Sequence, residues 1–406
     1  MEIKLPYKNQ KLKIEIPDKN VLKVLDKVEI KKHYLNFEEK LLNPLEKENF
    51  FDFVNTGKLL IVVNDHTRST PTAKVLERIY RYLEGKDITV MVACGTHRAP
   101  ADDELQKILG KFYHKFKDKI MYHNTESETE LYGFTQRGTK VKFDKRLSHF
   151  DKLLIITSVE PHYFAGFMGG RKSFLPGLAD YETIEHNHRL CFDENAKILN
   201  LDNNPVHLDM MDGANLFPLD KVFSIQVLYS GDEIYEVFCG DLHCAFFAGV
   251  EFYKNNLCIK ISEVPDVVIT CAPFPSDREL YQAVKALDAS VPVVKEKGRI
   301  IFVACCEKGI GNDEFFNMMK SFENPDEMIE FIKKNFKVGW QRAAKIVQYT
   351  KKAKIYLYSE LDENTTKILR MEKVKDLQRL IDDILEKNPS SRFLIMPHGS
   401  QIVPVL

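Results

Sequence analysis

Three polar clusters in this 406-residue chain hold side chains that could do chemistry. The first, Asn64-Asp65-His66-Thr67-Arg68-Ser69-Thr70-Pro71, follows the apolar run Leu59 to Val63 and leads into a helical pattern that begins near Pro71. Ser69 or Thr70 is expected to cap that helix, so that its open N–H groups and Arg68 make an anion site. A capped turn with a surface arginine is the plainer alternative. The second cluster, Cys94-Gly95-Thr96-His97-Arg98, closes the run Ile88 to Ala93. Gly95 admits a tight turn, and the His97 imidazole can exchange protons near neutral pH. The third runs from Glu160 to Gly177 and interleaves four glycines and two prolines with His162, Arg171 and Lys172. That composition predicts a loop shaped around a ligand rather than a packed element. Gly169-Gly170-Arg171-Lys172-Ser173 is similar to a phosphate cradle but lacks the spacing of a nucleotide P-loop.

Two further segments carry polar groups in apolar surroundings. Thr183-Ile184-Glu185-His186-Asn187-His188 reads as helix, and two histidines two apart cannot share a helix face. At most one of them faces a site, supplying a single coordination position that only a preassembled metal cofactor could use. Solvated histidines are the alternative. Pro273 to Leu287 is expected to form a helix capped by Ser276 or Asp277, with Gln282 and Lys285 on one face among Leu280, Ala283, Val284 and Leu287. An amide beside an ammonium suits a hydroxyl or carboxylate oxygen, unless the pair is only a solvent-facing stripe. Trp340, the single tryptophan, fits a core position as readily as a ligand contact.

The elements that must position these residues follow from periodicity. An N-terminal hairpin is expected at Glu2 to Leu5 and Leu12 to Ile16. Short β-branched runs at 59–63, 88–93 and 153–158 alternate with helical patterns at 72–83 and 102–109, which implies a mostly parallel sheet covered on both faces. A second series, 266–271, 299–305, 354–359 and 393–396, is separated by helices at 325–334 and 374–386. The fold class is α/β, with two α/β domains. The boundary is placed in the linker candidate Asn256 to Pro265, giving domains at 1–260 and 261–406.

Composition narrows the function classes. With 58 Lys plus Arg against 59 Asp plus Glu, a net charge of −1 gives no global pull toward nucleic acid or an anionic membrane. Any anion must be held locally. At 44% hydrophobic and 29% charged residues the chain is a folded protein rather than a disordered one. The start of the chain lacks the apolar block of a secretory signal, and no apolar run approaches a membrane span, so a cytoplasmic protein is expected. Its eight cysteines lie mostly in apolar runs without metal or disulfide spacing and read as reduced, buried thiols.

Taken together, the Asn64 to Pro71 segment, the Gly95-Thr96-His97-Arg98 turn, the Glu160 to Gly177 loop, Asn187-His188, Tyr281-Gln282-Ala283-Val284-Lys285 and the closing Met396-Pro397-His398-Gly399-Ser400 resemble the nickel-pincer lactate racemase family in order along nearly the whole chain. The resemblance implies two α/β domains with the active site in the interdomain cleft. It also implies nickel carried by a pyridinium-3,5-bisthiocarboxylic acid mononucleotide, linked covalently through Lys172 by a thioamide. His188 matches the family's nickel-binding histidine, with His186 as the fallback. Asp65, His66, Thr67 and Arg68 would lie against the cofactor, and Arg68, Tyr281, Gln282, Lys285 and Trp340 against the substrate. The partners implied are a small 2-hydroxy acid and the enzymes that build the cofactor.

The chemistry of racemisation fits independently of the name. A bond at a stereocentre must break and re-form on the other face, which needs one mobile group or two acid/base groups on opposite faces. His97 and His162 meet that requirement. In the hydride route implied by the family, one histidine takes the hydroxyl proton while the α-hydrogen leaves as hydride to the cofactor. The competing readings are a zinc-dependent hydrolase or lyase using His97, His162 and His188, and a non-catalytic protein that binds an anionic nucleotide through Arg68 and Lys172.

Overall fold

The computed structural model describes residues 1–26, 35–231 and 233–406. The chain divides into two compact units, Ile30–Asn256 and Met1–Glu29 with Leu257–Leu406.

The unit Ile30–Asn256 is built on a six-stranded sheet in the order Glu233–Gly240, Val222–Ser230, Lys152–Ser158, Leu59–Asn64, Ile88–Gly95, Ile120–Asn124. Only the first pair is antiparallel. Residues 59–63 and 153–158 are buried without alternation, as strands covered on both faces must be. The helix Thr72–Leu83 turns Val75, Leu76, Ile79 and Leu83 into the core at a spacing of three to four residues. The sheet order has a direct consequence for function. It sets Lys152–Ser158, Leu59–Asn64 and Ile88–Gly95 side by side and parallel, so all three polar clusters emerge from neighbouring carboxyl ends, where open α/β sheets gather their ligands.

Two local expectations in this unit need correction. Neither Ser69 nor Thr70 caps the helix; Pro71 precedes it without a side-chain cap, and the Thr70 hydroxyl instead meets Asn64 Nδ2 at 2.7 Å and Ser158 Oγ at 2.9 Å. The segment 160–177 is not an open loop. It folds into a two-residue ladder, Pro161–His162 against Gly166–Phe167, and a short 3-10 helix, Gly170–Ser173, with nearly every residue from Phe164 onward buried. Its glycines let backbone approach backbone and so make it compact.

The other unit carries a fully parallel six-stranded sheet, ordered Glu372–Val374, Lys354–Tyr358, Arg299–Val303, Val267–Cys271, Phe393–Met396, Val21–Val24. The hairpin Glu2–Tyr7 with Gln10–Glu15 packs Ile3, Leu5, Ile14 and Ile16 into the same core as Val267, Ile269 and Ile395. Residues 1–26 therefore belong with the C-terminal half, not with a domain running from 1 to 260. The linker candidate contains a strand, Cys258–Lys260, paired with Val403–Val405. The helix expected from Val374 starts at Leu377, where the Asp376 side chain accepts from Arg379 N, because Glu372–Val374 is taken up as an edge strand.

None of the eight cysteines, all among the described residues, forms a disulfide, and all but the half-buried Cys244 and Cys258 are buried. Among the described residues no helix is long and apolar enough to cross a membrane.

Candidate functional site

At the end of Leu59–Asn64 the Asp65 side chain is buried and its two oxygens are divided between partners. Oδ2 meets His97 Nδ1 at 2.6 Å, and Oδ1 accepts from Thr67 Oγ1 at 2.6 Å and Thr67 N at 3.0 Å. Burial works against the charge, yet the bonds from His97 and Thr67 and the Arg68 charge hold the Asp65 carboxyl below its ordinary range. A carboxylate on Nδ1 makes that nitrogen the donor, so the lone pair of neutral His97 sits on Nε2. The His97 side chain is 42% exposed, which leaves the imidazole accessible for proton exchange.

Lys172 lies in the turn Gly170–Ser173, two strands from His97. The turn is held by close backbone approach. Gly169 and Gly170 have φ of 94° and 53°, and a Cβ on Gly169 would come within 2.7 Å of Ser158 O and 2.9 Å of Gln226 Oε1. Gln226 Oε1 accepts from Gly170 N at 3.1 Å. Arg171 is fully buried, donates to Gly169 O at 3.1 Å and Ala165 O at 2.9 Å, and stacks 4.3 Å from the Phe246 ring centroid. Burial, and then the positive charges of Arg171 and Arg68, push the Lys172 amine well below its ordinary value. Its Nζ stands 5.6 Å from the Phe164 ring centroid. A downward shift of this kind favours the neutral form of a lysine, the form that acts as a nucleophile.

The helix Tyr181–Arg189, capped by Asp180 accepting from Thr183 N, brings His188 to the same Phe164 ring, 5.0 Å between centroids. Burial, reinforced by the Lys172 charge, lowers the His188 imidazole to about 3, so it is neutral and able to offer a lone pair. His186 turns elsewhere: its Nδ1 meets Thr139 Oγ1 at 2.7 Å. Nδ1 of His162 accepts from Ala165 N at 3.2 Å, and its ring stacks on Tyr163 with centroids 5.0 Å apart. In a neutral ring the proton is then on Nε2, the opposite tautomer to His97.

Asp65, Thr67, Arg68, His97 and His162 follow closely on the carboxyl ends of neighbouring strands, and Lys172 and His188 of the same unit are supplied by the turn Gly170–Ser173 and the helix Tyr181–Arg189. His66 does not join them. It lies toward Glu104, 4.0 Å from Oε2. Among the described residues no three side chains of His, Cys, Asp or Glu gather to hold a metal ion, so the zinc centre considered for His97, His162 and His188 is not assembled.

The remaining residues belong to the other unit. Gln282 and Lys285 are exposed between buried neighbours, but not on one helix: Leu280–Ala283 ends before Lys285–Ser290 begins, and neither Ser276 nor Asp277 caps them. Half-buried Tyr281 has its ring 5.6 Å from that of Phe315. Trp340 is half-buried at the start of Trp340–Lys352, 5.8 Å from the Phe331 ring.

Sequence reasoning missed the buried polar side chains that support the site. Gln226 and Ser224 on Val222–Ser230 are fully buried, and so is Asp209 on Pro205–Asn215. Glu160 Oε1 accepts from Ser158 Oγ at 2.6 Å and Tyr229 Oη at 3.1 Å, linking the third cluster to the neighbouring strand. The available signal was a polar residue inside an apolar run, as at Gln226 between Ile225 and Val227.

Comparisons with known proteins place the chain in a family. The profile described as "Lactate racemase N-terminal domain" matches residues 7–199, and "Lactate racemase C-terminal domain" matches residues 260–403. The lactate racemase of Lactiplantibacillus plantarum is 30% identical over 342 residues, covering 81% of this chain and 80% of that protein. That of Thermoanaerobacterium thermosaccharolyticum is 29% identical over 344 residues, with the same coverage. The solved lactate racemase apoprotein from T. thermosaccharolyticum superimposes with a TM-score of 0.89 at 26% identity, covering 100% of both chains. A Thermotoga maritima protein shares the fold at a TM-score of 0.67 and 18% identity, over 88% of this chain and 96% of its own. On the matched domains and the similarity spanning four fifths of the chain, this protein belongs to the lactate racemase family and is an isomerase of the racemase class.

Proposed function

We propose that this chain racemises or epimerises a 2-hydroxy acid, lactate being the first candidate because its curated relatives are named for it. We further propose that it works with a nickel-pincer nucleotide joined to Lys172. The observation that carries the reading is that a buried lysine amine and a buried imidazole, both shifted by burial toward their neutral forms, stand against one Phe164 ring. That donor set fits the group. The amine would form the covalent link, and His188 would give one lone pair to a metal already held by the nucleotide. When bound, such a group supplies an acceptor for the substrate's α-hydrogen as hydride.

The chain's own residues supply the proton chemistry. His97 Nε2 takes the hydroxyl proton of one enantiomer, and Asp65 on Nδ1 stabilises the imidazolium that results. His162 is assigned the matching role for the other enantiomer. Arg68 is assigned to the substrate carboxylate, which a guanidinium can grip bidentately. Asp65 and Thr67 are assigned to orienting the cofactor side of the site, and Tyr281, Gln282, Lys285 and Trp340 to substrate binding. The protein would act in the cytoplasm, where cysteines such as its eight stay reduced, and would depend on the enzymes that make the nucleotide.

Intact-protein mass spectrometry with metal analysis tests this on protein co-expressed with cofactor biosynthesis enzymes, alongside chiral chromatography of lactate. The expected result is a covalent mass increase and nickel near one per chain, both lost in Lys172→Ala, with racemisation only in the loaded protein. Tight binding of the nucleotide without turnover of any hydroxy acid would favour a storage or delivery protein instead.

A further inference from the structure

Behind His188 lies a chain of buried hydrogen bonds whose direction can be read atom by atom. Asp209 is fully buried, and both its oxygens receive hydroxyls: Thr135 Oγ1 reaches Oδ1 at 2.5 Å, and Thr139 Oγ1 lies 2.9 and 2.8 Å from Oδ1 and Oδ2. Oδ2 also accepts from Asn187 Nδ2 at 2.9 Å. The same Nδ2 donates to Val206 O at 3.2 Å. Both atoms facing that end of the amide are acceptors, so the NH₂ must point to them and Oδ1 must point the other way. There it meets His188 Nδ1 at 3.2 Å. An amide oxygen can only accept, so Nδ1 must carry the proton and the His188 lone pair must reside on Nε2. Thr139 has one proton to give. With the carboxylate receiving it, the hydroxyl oxygen is left to accept from His186 Nδ1, which accounts for the outward turn of that histidine.

We propose that Asp209, acting through Asn187, is a positioning residue that fixes the Nδ1–H tautomer of His188 and so commits Nε2 to a metal. This rests on the reading of His188 as the nickel ligand, but the tautomer is measurable without metal. Asp209 and Asn187 are 22 residues apart in sequence and stand in different helices, Pro205–Asn215 and Tyr181–Arg189, so the relay also fixes where Tyr181–Arg189 delivers its imidazole.

The test is long-range ¹⁵N–¹³C correlation NMR on histidine-labelled apoprotein, with His188 assigned by its loss in His188→Gln. Wild type is expected to show Nδ1 protonated and Nε2 bare. Asn187→Ala should shift the ring toward Nε2–H. The exchanged pair Asn187→Asp with Asp209→Asn should restore the wild-type tautomer, because the new carboxylate accepts from His188 while the new amide donates to it. In the loaded enzyme, nickel loss to a chelator should be about tenfold faster in Asn187→Ala and return toward wild type in the exchanged pair. Nε2–H in the wild type, or an unchanged tautomer in a folded Asn187→Ala, overturns the proposal. The Ile184 backbone carbonyl, one turn earlier in the helix, is a second acceptor for the ring, so the decisive variants are those that remove the Asn187 oxygen; should Asn187→Ala not fold, the similarly sized Asn187→Leu is read in its place. An Nδ1–H wild type whose loaded form keeps its nickel in His188→Gln supports the relay and overturns the ligand assignment instead.

Discussion

A carboxylate on one imidazole nitrogen decides what the other can do. The Asp65–His97 contact of 2.6 Å leaves Nε2 of His97 as the basic atom and stabilises the charge it acquires on taking a proton. Asp65→Asn keeps the shape but presents an amide that can also donate, so His97 is free to adopt the wrong tautomer. The expected outcome is a fall in kcat of about 10²–10⁴-fold in loaded protein, with the Lys172 mass increase unchanged. A variant that kept wild-type kcat would remove His97 from the role of base. The pH dependence has a definite sign. The Asp65 carboxyl is held below its usual value of 3.8, so its charge, and with it the acceptor it offers to His97, persists through mildly acid solution and is lost only as pH falls beneath that value. At this scale Asp65, His97, His162 and Lys172 stood out in the sequence because they sit beside glycines and prolines at the ends of apolar runs. Gln226, Asp209 and Asn187's role did not, because a buried polar side chain is defined by partners that are remote in sequence.

Elements deliver these residues only if their ends are held. The hairpin strand Lys140–Asp144 is joined to Ile120–Asn124 by a fully buried contact of Asp144 Oδ2 with His123 Nδ1 at 2.8 Å, while His123 Nε2 meets Ala179 O at 3.0 Å. Asp180, the next residue, caps the His188 helix. Arg146 adds three bonds to the same carboxylate, two from its guanidinium at 2.8 and 2.5 Å and one from its backbone N–H at 2.9 Å. Burial opposes the Asp144 charge, but Arg146 and His123 outweigh it and hold the carboxyl far below its ordinary 3.8. Its stabilisation is therefore complete above that value and is lost as pH falls below it. Asp144→Asn should cost about 3–5 kcal/mol near neutrality, the cost of breaking a buried ion pair, and the gap to wild type should narrow below about pH 4. Denaturant unfolding at several pH values measures both; a pH-independent gap would mean that charge is not what holds the clamp. Periodicity located Thr72–Leu83 and Pro325–Lys334 without difficulty, since burial and pattern agree there. It ran one helix through 280–287 because nothing in an apolar stretch marks the interruption at Val284.

The order of the chain and the order of its cores differ. Ile30–Asn256 is a continuous stretch with its own sheet and core, whereas the other unit is completed by the first residues as well as the last. Hydrophobic alternation revealed the N-terminal hairpin, but pattern is local and does not say which sheet a hairpin covers. That is why the expected boundary assigned it to the wrong half. The correction predicts how a truncation behaves. Removing residues 1–26 takes Ile3, Leu5, Ile14 and Ile16 from the core around Val267, Ile269 and Ile395, a loss of roughly 1.5–3 kcal/mol for each side chain. It also removes Val21–Val24 and leaves Phe393–Met396 as an uncovered edge. Hydrogen exchange should accelerate in Val267–Cys271 and Phe393–Met396 while Leu59–Asn64 and Lys152–Ser158 keep wild-type protection, because among the described residues none of the hairpin is in the cluster packed around Leu59, Ile61, Val63, Leu154 and Ile156. Faster exchange in the second pair of strands would show that the sheet bearing Asp65, His97 and Lys172 depends on residues its own core does not contain.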